Sequence, residues 1–288
     1  MFACTLFGID RQVYYRKIKR SIIKLDKASL VVEMVLEIRR QMPRIGSKKL
    51  YYLLNKDLQT LKVGRDKFID ILRANHLLII PKRSYHLTTN SHHRFRKYKN
   101  QLLDLQINKP EQVWVSDITY IGKREKPCYL SLITDAYSKK IVGYNVSDNL
   151  NTESSLVALR LAVKQRENKE MPLIHHSDRG LQYCANAYQK ILTKNEIQPS
   201  MTQNSDPYEN AIAERINGIL KQEFFIDKYN EDLPVMKQII KETVGIYNEK
   251  RPHLSNHMLT PNQMHQQNKL IMKTYKTKNS TKNVFDAV

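Results

Sequence analysis

The sequence predicts an α/β protein in which a mixed sheet with helices on its faces follows a small all-helical module. Residues 113–225 contain three predicted strands and then alternating helices and strands, an order typical of a mixed sheet. Residues 11–75 contain short amphipathic helices separated by tight turns. The chain has 288 residues, of which 41% are apolar, and this is enough for a sizeable core.

N-cap residues and helix-breaking residues mark the ends of the predicted helices in the N-terminal module. Asp10 is a predicted N-cap, Pro43 and Gly46 interrupt the helical pattern, and Ser47 is a second predicted N-cap. The predicted helices cover residues 11–20, 29–41, 48–57 and 65–75. Short helices with basic exposed faces favour a helix-turn-helix that binds DNA, although a generic helical bundle fits the same spacing. The candidate DNA contacts here are Lys48, Lys49, Arg65 and Lys67.

The net charge of +20 is concentrated at the N-terminal end. Residues 1–110 hold 24 Lys/Arg and 8 Asp/Glu, whereas residues 111–264 hold 19 of each. We call residues 1–110 the basic arm and residues 111–264, whose positive and negative charges cancel, the balanced block. A basic arm of this kind favours a polyanionic partner such as double-stranded DNA, because each phosphate contact needs a cation. Solvated helix faces are the alternative explanation.

A basic linker is predicted between Pro81 and Pro110. It places aromatic side chains among basic ones, and this suits stacking on bases and contact with phosphates. Its candidate DNA contacts are Arg94, Arg96 and Lys97. The predicted organisation is therefore a helix-turn-helix region over 1–80, a linker over 81–110, a catalytic core over 111–265 and a flexible basic tail over 266–288.

Cysteine content and hydropathy predict a location inside the cell. The three cysteines form no paired or metal-like cluster, so a disulfide scaffold is not expected. No apolar run is long enough to span a membrane, and the first residues make a poor secretion signal. We expect a cytoplasmic protein near the nucleoid, with no membrane partner.

Three carboxylates stand out in the balanced block. Asp117 shares a strand face with valine, threonine and isoleucine, where a charge is costly to bury unless it is paired or binds a metal. Asp178 follows an apolar strand, at the sheet edge where sites form in open α/β sheets. Glu214 lies in a helix predicted to start near Pro207. Taken singly, each could be an ordinary edge, turn or solvent-facing residue.

Together the three acids predict a metal site. Hard carboxylate oxygens suit Mg²⁺ or Mn²⁺. Two such ions can activate an attacking oxygen and stabilise the leaving oxygen of an in-line phosphoryl displacement. The expected cofactor is therefore Mg²⁺ or Mn²⁺, with two ions per active site.

Three segments carry a family resemblance. QVWVSDITYI, HHSDRGLQYC and NSDPYENAIAERINGILKQE, in that order, resemble the signature blocks of the DDE transposases of the retroviral integrase superfamily. The closest resemblance is to the OrfB-type transposases of insertion sequences. Asp178 and Glu214 are separated by 35 residues, the spacing typical of that family. YNEKRPHLSNHMLTP resembles the closing block of its members.

The resemblance implies roles for individual residues. Asp117, Asp178 and Glu214 match the catalytic, metal-binding triad. Lys221 matches a basic residue that contacts the DNA end, and its seven-residue separation from Glu214 puts both on one helix face. Asn210 lies on the same stripe and is a further candidate DNA contact.

The resemblance also implies a fold and a reaction. The core is expected to be ribonuclease H-like, and the reaction is metal-dependent strand cleavage at the ends of an insertion sequence followed by strand transfer. Expected partners are terminal-repeat and target DNA, further copies in a synaptic complex, and an upstream-frame protein or fusion, since no long heptad run is apparent here. A non-catalytic protein that occupies element ends, or a plain nuclease, are the alternatives.

Overall fold

The computed structural model describes residues 6, 8, 10–80, 98–102, 105–122, 127–203 and 210–267. The chain divides into two compact units, residues 1–84 and 85–288. Among the described residues, no helix combines the length and apolar character that crossing a bilayer requires.

The first unit begins with one long helix, α1 (Arg11–Gln41). The carboxylate of Asp10 caps it, accepting hydrogen bonds from the amides of Gln12 at 2.7 Å and Val13 at 3.4 Å. The prediction of two helices over 11–20 and 29–41 was therefore wrong. Residues 21–28 contain neither glycine nor proline, so nothing in the backbone ends the helix there.

Three shorter helices complete this unit: α2 (Ser47–Leu53), α3 (Asn55–Thr60) and α4 (Arg65–Ala74). Pro43 and Gly46 separate α1 from α2 as predicted, but Gly46 rather than Ser47 takes the N-cap position. The single helix predicted over 48–57 is divided at Leu54. The buried core of the unit comes from all four helices and includes Val31, Val35, Leu50, Leu58, Phe68 and Leu72.

The second unit contains a five-stranded mixed sheet in the order β3-β2-β1-β4-β5. The strands are β1 (Val113–Ile121), β2 (Cys128–Asp135), β3 (Ile141–Ser147), β4 (Leu173–Ser177) and β5 (Ile197–Met201). β1, β2 and β3 pair antiparallel, whereas β4 pairs parallel with β1 and β5. The sequence predicts strands over 113–121, 128–134, 141–146, 172–176 and 198–201, so all five were predicted with bounds within one residue. This mixed sheet with its helices is the expected ribonuclease H-like core.

Helices cover both faces of the sheet. They are α5 (Thr152–Gln165), α6 (Leu181–Cys184), α7 (Asn186–Lys194), α8 (Ala211–Glu223), α9 (Leu233–Lys250) and α10 (Pro261–His265). Side chains alternate along β1, so Trp114 packs with α5 and α7 on one face. Val113 and Val115 pack with Ala213 of α8 on the other. The predicted cap signal at Asp206 and Pro207 lies outside the described residues.

Residues of the closing block hold the outer strand of the sheet. The side chain of Asn248 accepts a hydrogen bond from the amide of Ile141 and donates one to its carbonyl, both at 3.0 Å. The hydroxyl of Tyr247 donates to the carbonyl of Lys139 at 2.9 Å. The β3 edge is thereby paired by side chains, which satisfies backbone groups that would otherwise invite another strand.

A buried ion pair ties α8 to the same block. The guanidinium of Arg251, 2% exposed, donates from Nε and Nη2 to both carboxylate oxygens of Glu223, at 2.8 and 2.7 Å. Glu223 ends α8, so this bidentate pair anchors the C-terminal end of the helix that carries Glu214.

Candidate active site

Asp117 lies in the central strand β1, on the face that α8 covers. The carboxylate accepts a hydrogen bond from the Ile118 amide at 2.9 Å and another from Nδ2 of Asn217 at 2.7 Å. Asn217 is buried in α8, one turn beyond Glu214. The strand alternation thus turns Asp117 towards the helix that bears the third acid.

Asp178 follows β4 directly, at its C-terminal end. β1 and β4 run parallel with Val115 opposite His176, and the same offset carried two residues further puts Asp117 beside Asp178. Oδ1 of Asp178 accepts a hydrogen bond from the amide of Gly180 at 3.0 Å. A methyl group at Gly180 would lie 3.0 Å from that oxygen, so glycine keeps the space in which the carboxylate sits.

The electrostatics link the three acids. Burial, the charge of Asp178 and, to a smaller extent, the charge of Glu214 raise the pKa of Asp117 to about 7, against the lowering effect of its hydrogen bonds to Ile118 and Asn217. Burial also raises the pKa of Glu214. Asp117 therefore lies within range of the charges of Asp178 and Glu214, which lie 61 and 97 residues further along the chain.

The three side chains do not form a closed ligand set. Within the described ranges, no group of three or more His, Cys, Asp or Glu side chains is close enough to hold a metal ion. Asp117 lies in β1 and Asp178 directly follows β4, whereas Glu214 is exposed on the first turn of α8.

Lys221 and Asn210 lie on the same helix as Glu214 and reach different surroundings. Lys221 is half-buried. Burial lowers the pKa of its ammonium group, and the charges of Asp117 and Asp227 offset only part of that effect. Asn210 is buried and its Nδ2 donates to the carbonyl of Ser116 at 3.1 Å. This bond joins the start of α8 to β1, and the contact of Asn210 with DNA stays a prediction.

A buried polar network supports the strand behind Asp117. Nε2 of His175 lies 2.6 Å from the hydroxyl of Ser116 and 2.9 Å from that of Tyr188. Burial, followed by the charge of His176, lowers the pKa of His175 to about 3, so the ring is neutral. Ser116 immediately precedes Asp117, and this network therefore fixes the strand next to the carboxylate.

Sequence reasoning missed two residues of the site. Asn217 bonds directly to Asp117, and its position three residues after Glu214 was the available signal. Tyr183 is buried, and burial together with the charges of Tyr188, Asp117 and Asp178 raises the pKa of its hydroxyl well above the usual value. Its position within HHSDRGLQYC was the only hint.

The predicted DNA contacts of the first unit lie at two helix starts. Lys48 is exposed and Lys49 is half-buried in the first turn of α2. Arg65 and Lys67 are exposed in the first turn of α4, where Arg65 also pairs with Asp66 at 3.0 Å. The linker candidates Arg94, Arg96 and Lys97 lie outside the described residues.

Comparisons with known families match the second unit. The integrase core domain family matches residues 107–207, and a second integrase core domain family matches residues 195–261. A cryo-EM structure of a simian T-cell lymphotropic virus intasome aligns with 83% of this chain and 81% of that chain, at 18% identity and a TM-score of 0.48.

Relatives from insertion sequences match by sequence. The insertion element IS600 uncharacterized 31 kDa protein of Shigella sonnei is 32% identical over 254 residues, covering 87% of this chain and 92% of that protein. A putative transposase for insertion sequence element IS986/IS6110 of Mycobacterium tuberculosis is 36% identical over 118 residues, but the match covers only 40% of this chain and 42% of that protein. The long match to the first relative, together with the integrase core, assigns the family. The chain belongs to the insertion-sequence transposases that carry an integrase core domain, within the retroviral integrase superfamily of DDE transposases.

Proposed function

We propose that this chain is the transposase of an insertion sequence: a polynucleotidyl transferase that cleaves a DNA strand at the end of the element and joins the resulting 3′-hydroxyl to target DNA. Asp117, Asp178 and Glu214 are the proposed catalytic residues. The observation that carries the proposal is the parallel pairing of β1 with β4: its register, extended by two residues, puts Asp117 level with Asp178, and the charge of Asp178 raises the pKa of Asp117. The family assignment supports the same reaction.

The residues fit Mg²⁺ or Mn²⁺. The three side chains offer hard oxygen donors, which both ions prefer. Crowding with like charge raises the pKa of Asp117, and a bound cation would relieve that cost. Two ions held by this triad would supply Lewis-acid activation of the attacking and leaving oxygens. Glu214, exposed on the first turn of α8, would supply the third carboxylate.

The chain's own hydrogen bonds prepare the carboxylates. Asn217 holds one oxygen of Asp117 and the Ile118 amide holds the other, so the carboxylate cannot rotate freely. The Gly180 amide does the same for Asp178. A fixed orientation lowers the reorganisation needed when substrate binds.

Lys221 is the proposed contact for the DNA backbone at this site. It lies two helical turns beyond Glu214 and close enough to Asp117 for their charges to interact. A cation there would attract the phosphate next to the bond that is cleaved.

The exposed Lys48, Arg65 and Lys67 are proposed to bind the phosphates of a longer stretch of duplex.

The test uses the full chain with labelled element-end DNA and Mn²⁺. We expect Asp117→Asn and Glu214→Gln each to abolish cleavage and joining while retaining DNA binding. Two exposed acids provide matched controls: Asp148→Asn and Glu231→Gln should keep full activity. Full cleavage by Asp117→Asn or Glu214→Gln would refute the proposal.

A second candidate is a non-catalytic protein that occupies element ends. The separation of the three acids among the described residues favours it. It predicts a DNA footprint that survives substitution of all three, with no nicking under Mg²⁺ or Mn²⁺. Hydrolysis without joined products would instead identify a nuclease.

A further inference from the structure

Helix α8 carries a glycine at the centre of its exposed face. At about 100° per residue, the arc within about 60° of Gly218 holds every exposed side chain of this helix and the half-buried Lys221. The members of this face are Ala211, Glu214, Arg215, Gly218, Lys221 and Gln222. The buried Leu220 lies on the opposite side, against the sheet.

The fold of α8 does not require glycine at this position. The φ of Gly218 is not positive, and a Cβ added there would have no heavy atom within 4 Å outside the neighbouring backbone of its own helix. Glycine in a helix interior is less favourable than any residue except proline, because its unfolded backbone has the most freedom to lose. Gly245 of α9 is equally unconstrained, so the flanking side chains, and not the open space alone, distinguish Gly218.

Long polar side chains flank Gly218 and make the position a notch in a charged surface. We define the α8 notch as Gly218 and its four flanking residues, Glu214, Arg215, Lys221 and Gln222. The pair 214–215 lies about 10 Å along the helix axis from the pair 221–222, with only the glycine backbone between them on this face. Asn217, which donates to Asp117, adjoins the notch, so the notch opens next to the acids.

We propose that one strand of the DNA end crosses α8 at the notch, with its sugar–phosphate backbone in van der Waals contact with the helix backbone at Gly218. Arg215 and Lys221 then lie on either side of the strand as cations for its phosphates. Without a side chain at Gly218, the strand can lie close to the carboxylate of Glu214. This inference rests on the proposed function and adds to it the path of the strand and a steric limit on its approach.

The composition of the notch favours nucleic acid over a protein helix. Small residues such as Ala211 and Gly218 would also allow a second helix to pack closely. However, this face of α8 carries no large apolar side chain, and the cores of protein interfaces are depleted of charged residues. Two cations beside an acid proposed to hold metal suit a polyanion, because each phosphate contact needs a cation.

The experiment measures the binding of the full chain to labelled element-end DNA by fluorescence anisotropy, without divalent metal so that no strand is cut, and the melting temperature of each variant. Gly218→Ala should raise the melting temperature by about 3 °C, because it favours the helix, and yet weaken binding about tenfold, because a methyl group fills the contact. Gly218→Leu should weaken binding about 100-fold. The matched control, Gly245→Ala, should raise the melting temperature equally and leave binding unchanged.

A salt series tests the cation on the outer side of the notch. Arg215→Gln should reduce the slope of log K against log salt concentration by about one, because one phosphate contact is lost. Lys237→Gln changes an exposed cation of α9 and should leave the slope unchanged.

Several results would overturn the inference. They are wild-type binding by both Gly218 variants, an equal loss of binding by Gly245→Ala, or an unchanged salt slope for Arg215→Gln. A lower melting temperature of Gly218→Ala would also overturn it, because the added methyl group would then clash within the chain. The proposed function fails separately: if binding follows the expected series but the wild type cuts no DNA with Mn²⁺, the notch stands as a DNA contact and the catalytic proposal does not.

Discussion

Replacing Asp117 by asparagine should stabilise the metal-free protein. The carboxylate has a pKa of about 7 in the folded chain because it is desolvated and lies beside Asp178, against 3.8 for an ordinary aspartate. Folding therefore disfavours its ionised form. Asn217 can still donate to the amide oxygen of the new residue, but the amide NH2 then faces the Ile118 N–H, so the variant loses the charge and one of two hydrogen bonds.

The expected magnitude follows from linkage. A rise of about 3 pKa units corresponds to about 4 kcal/mol. Asp117 is not wholly shielded from solvent, so we expect about 2 kcal/mol and a melting temperature higher by about 5 °C at pH 8. The sign depends on pH: an acid whose folded pKa is raised costs nothing below its unfolded pKa, and the cost grows as pH rises from about 4 to 7. The gain should vanish at pH 4.

Thermal unfolding by circular dichroism at pH 4 and pH 8, with and without Mn²⁺, measures this effect. Mn²⁺ should raise the melting temperature of the wild type at pH 8 and leave Asp117→Asn almost unchanged, because the variant lacks a charged ligand. Asp148→Asn, an exposed control, should match the wild type throughout. A variant less stable than the wild type at pH 8, or equally stabilised by Mn²⁺, would refute the reasoning.

Three further predictions test the surroundings of the site. Asn217→Ala removes a hydrogen bond to a carboxylate, worth about 1.5–3 kcal/mol, and should move the pH midpoint of Mn²⁺ binding up by one to two units in a calorimetric titration; an unchanged midpoint would contradict the assigned contact. Gly180→Ala fits the backbone at φ −62° but crowds Asp178, and should lower strand cleavage about tenfold in a gel assay with no change in melting temperature; normal cleavage would show that the carboxylate has room to move. Arg251→Met should cost about 3 kcal/mol of unfolding free energy in urea, because it leaves Glu223 without its buried partner. Adding Glu223→Gln should recover part of that loss, and strictly additive costs would argue against coupling.

Strands and their order along the chain were predictable because local patterns specify them. Alternation along residues 113–121 gives β1 both its bounds and its two faces, and an odd aspartate on an apolar face marks a site. The motif blocks led to the family, and the comparisons agree with it. None of this required knowledge of contacts between distant residues.

Other features were not readable from local patterns. Asn248 pairs with Ile141 and Arg251 with Glu223 across separations of 107 and 28 residues, and neither pair leaves a periodic signal. The continuity of α1 was also missed, although residues 21–28 contain neither glycine nor proline and nothing there ends a helix.

The sequence by itself determined the fold class, the family and which acids to examine, because side-chain chemistry and spacing are local properties that persist in any conformation. Only the tertiary structure decided how those acids meet. It brought Asp117 within range of the charge of Asp178 and gave Asp117 its partner Asn217, 100 residues away along the chain. It also left Glu214 exposed on its helix. The reason is physical: burial, hydrogen bonding and the repulsion between carboxylates depend on distances in space, and chain folding alone determines these.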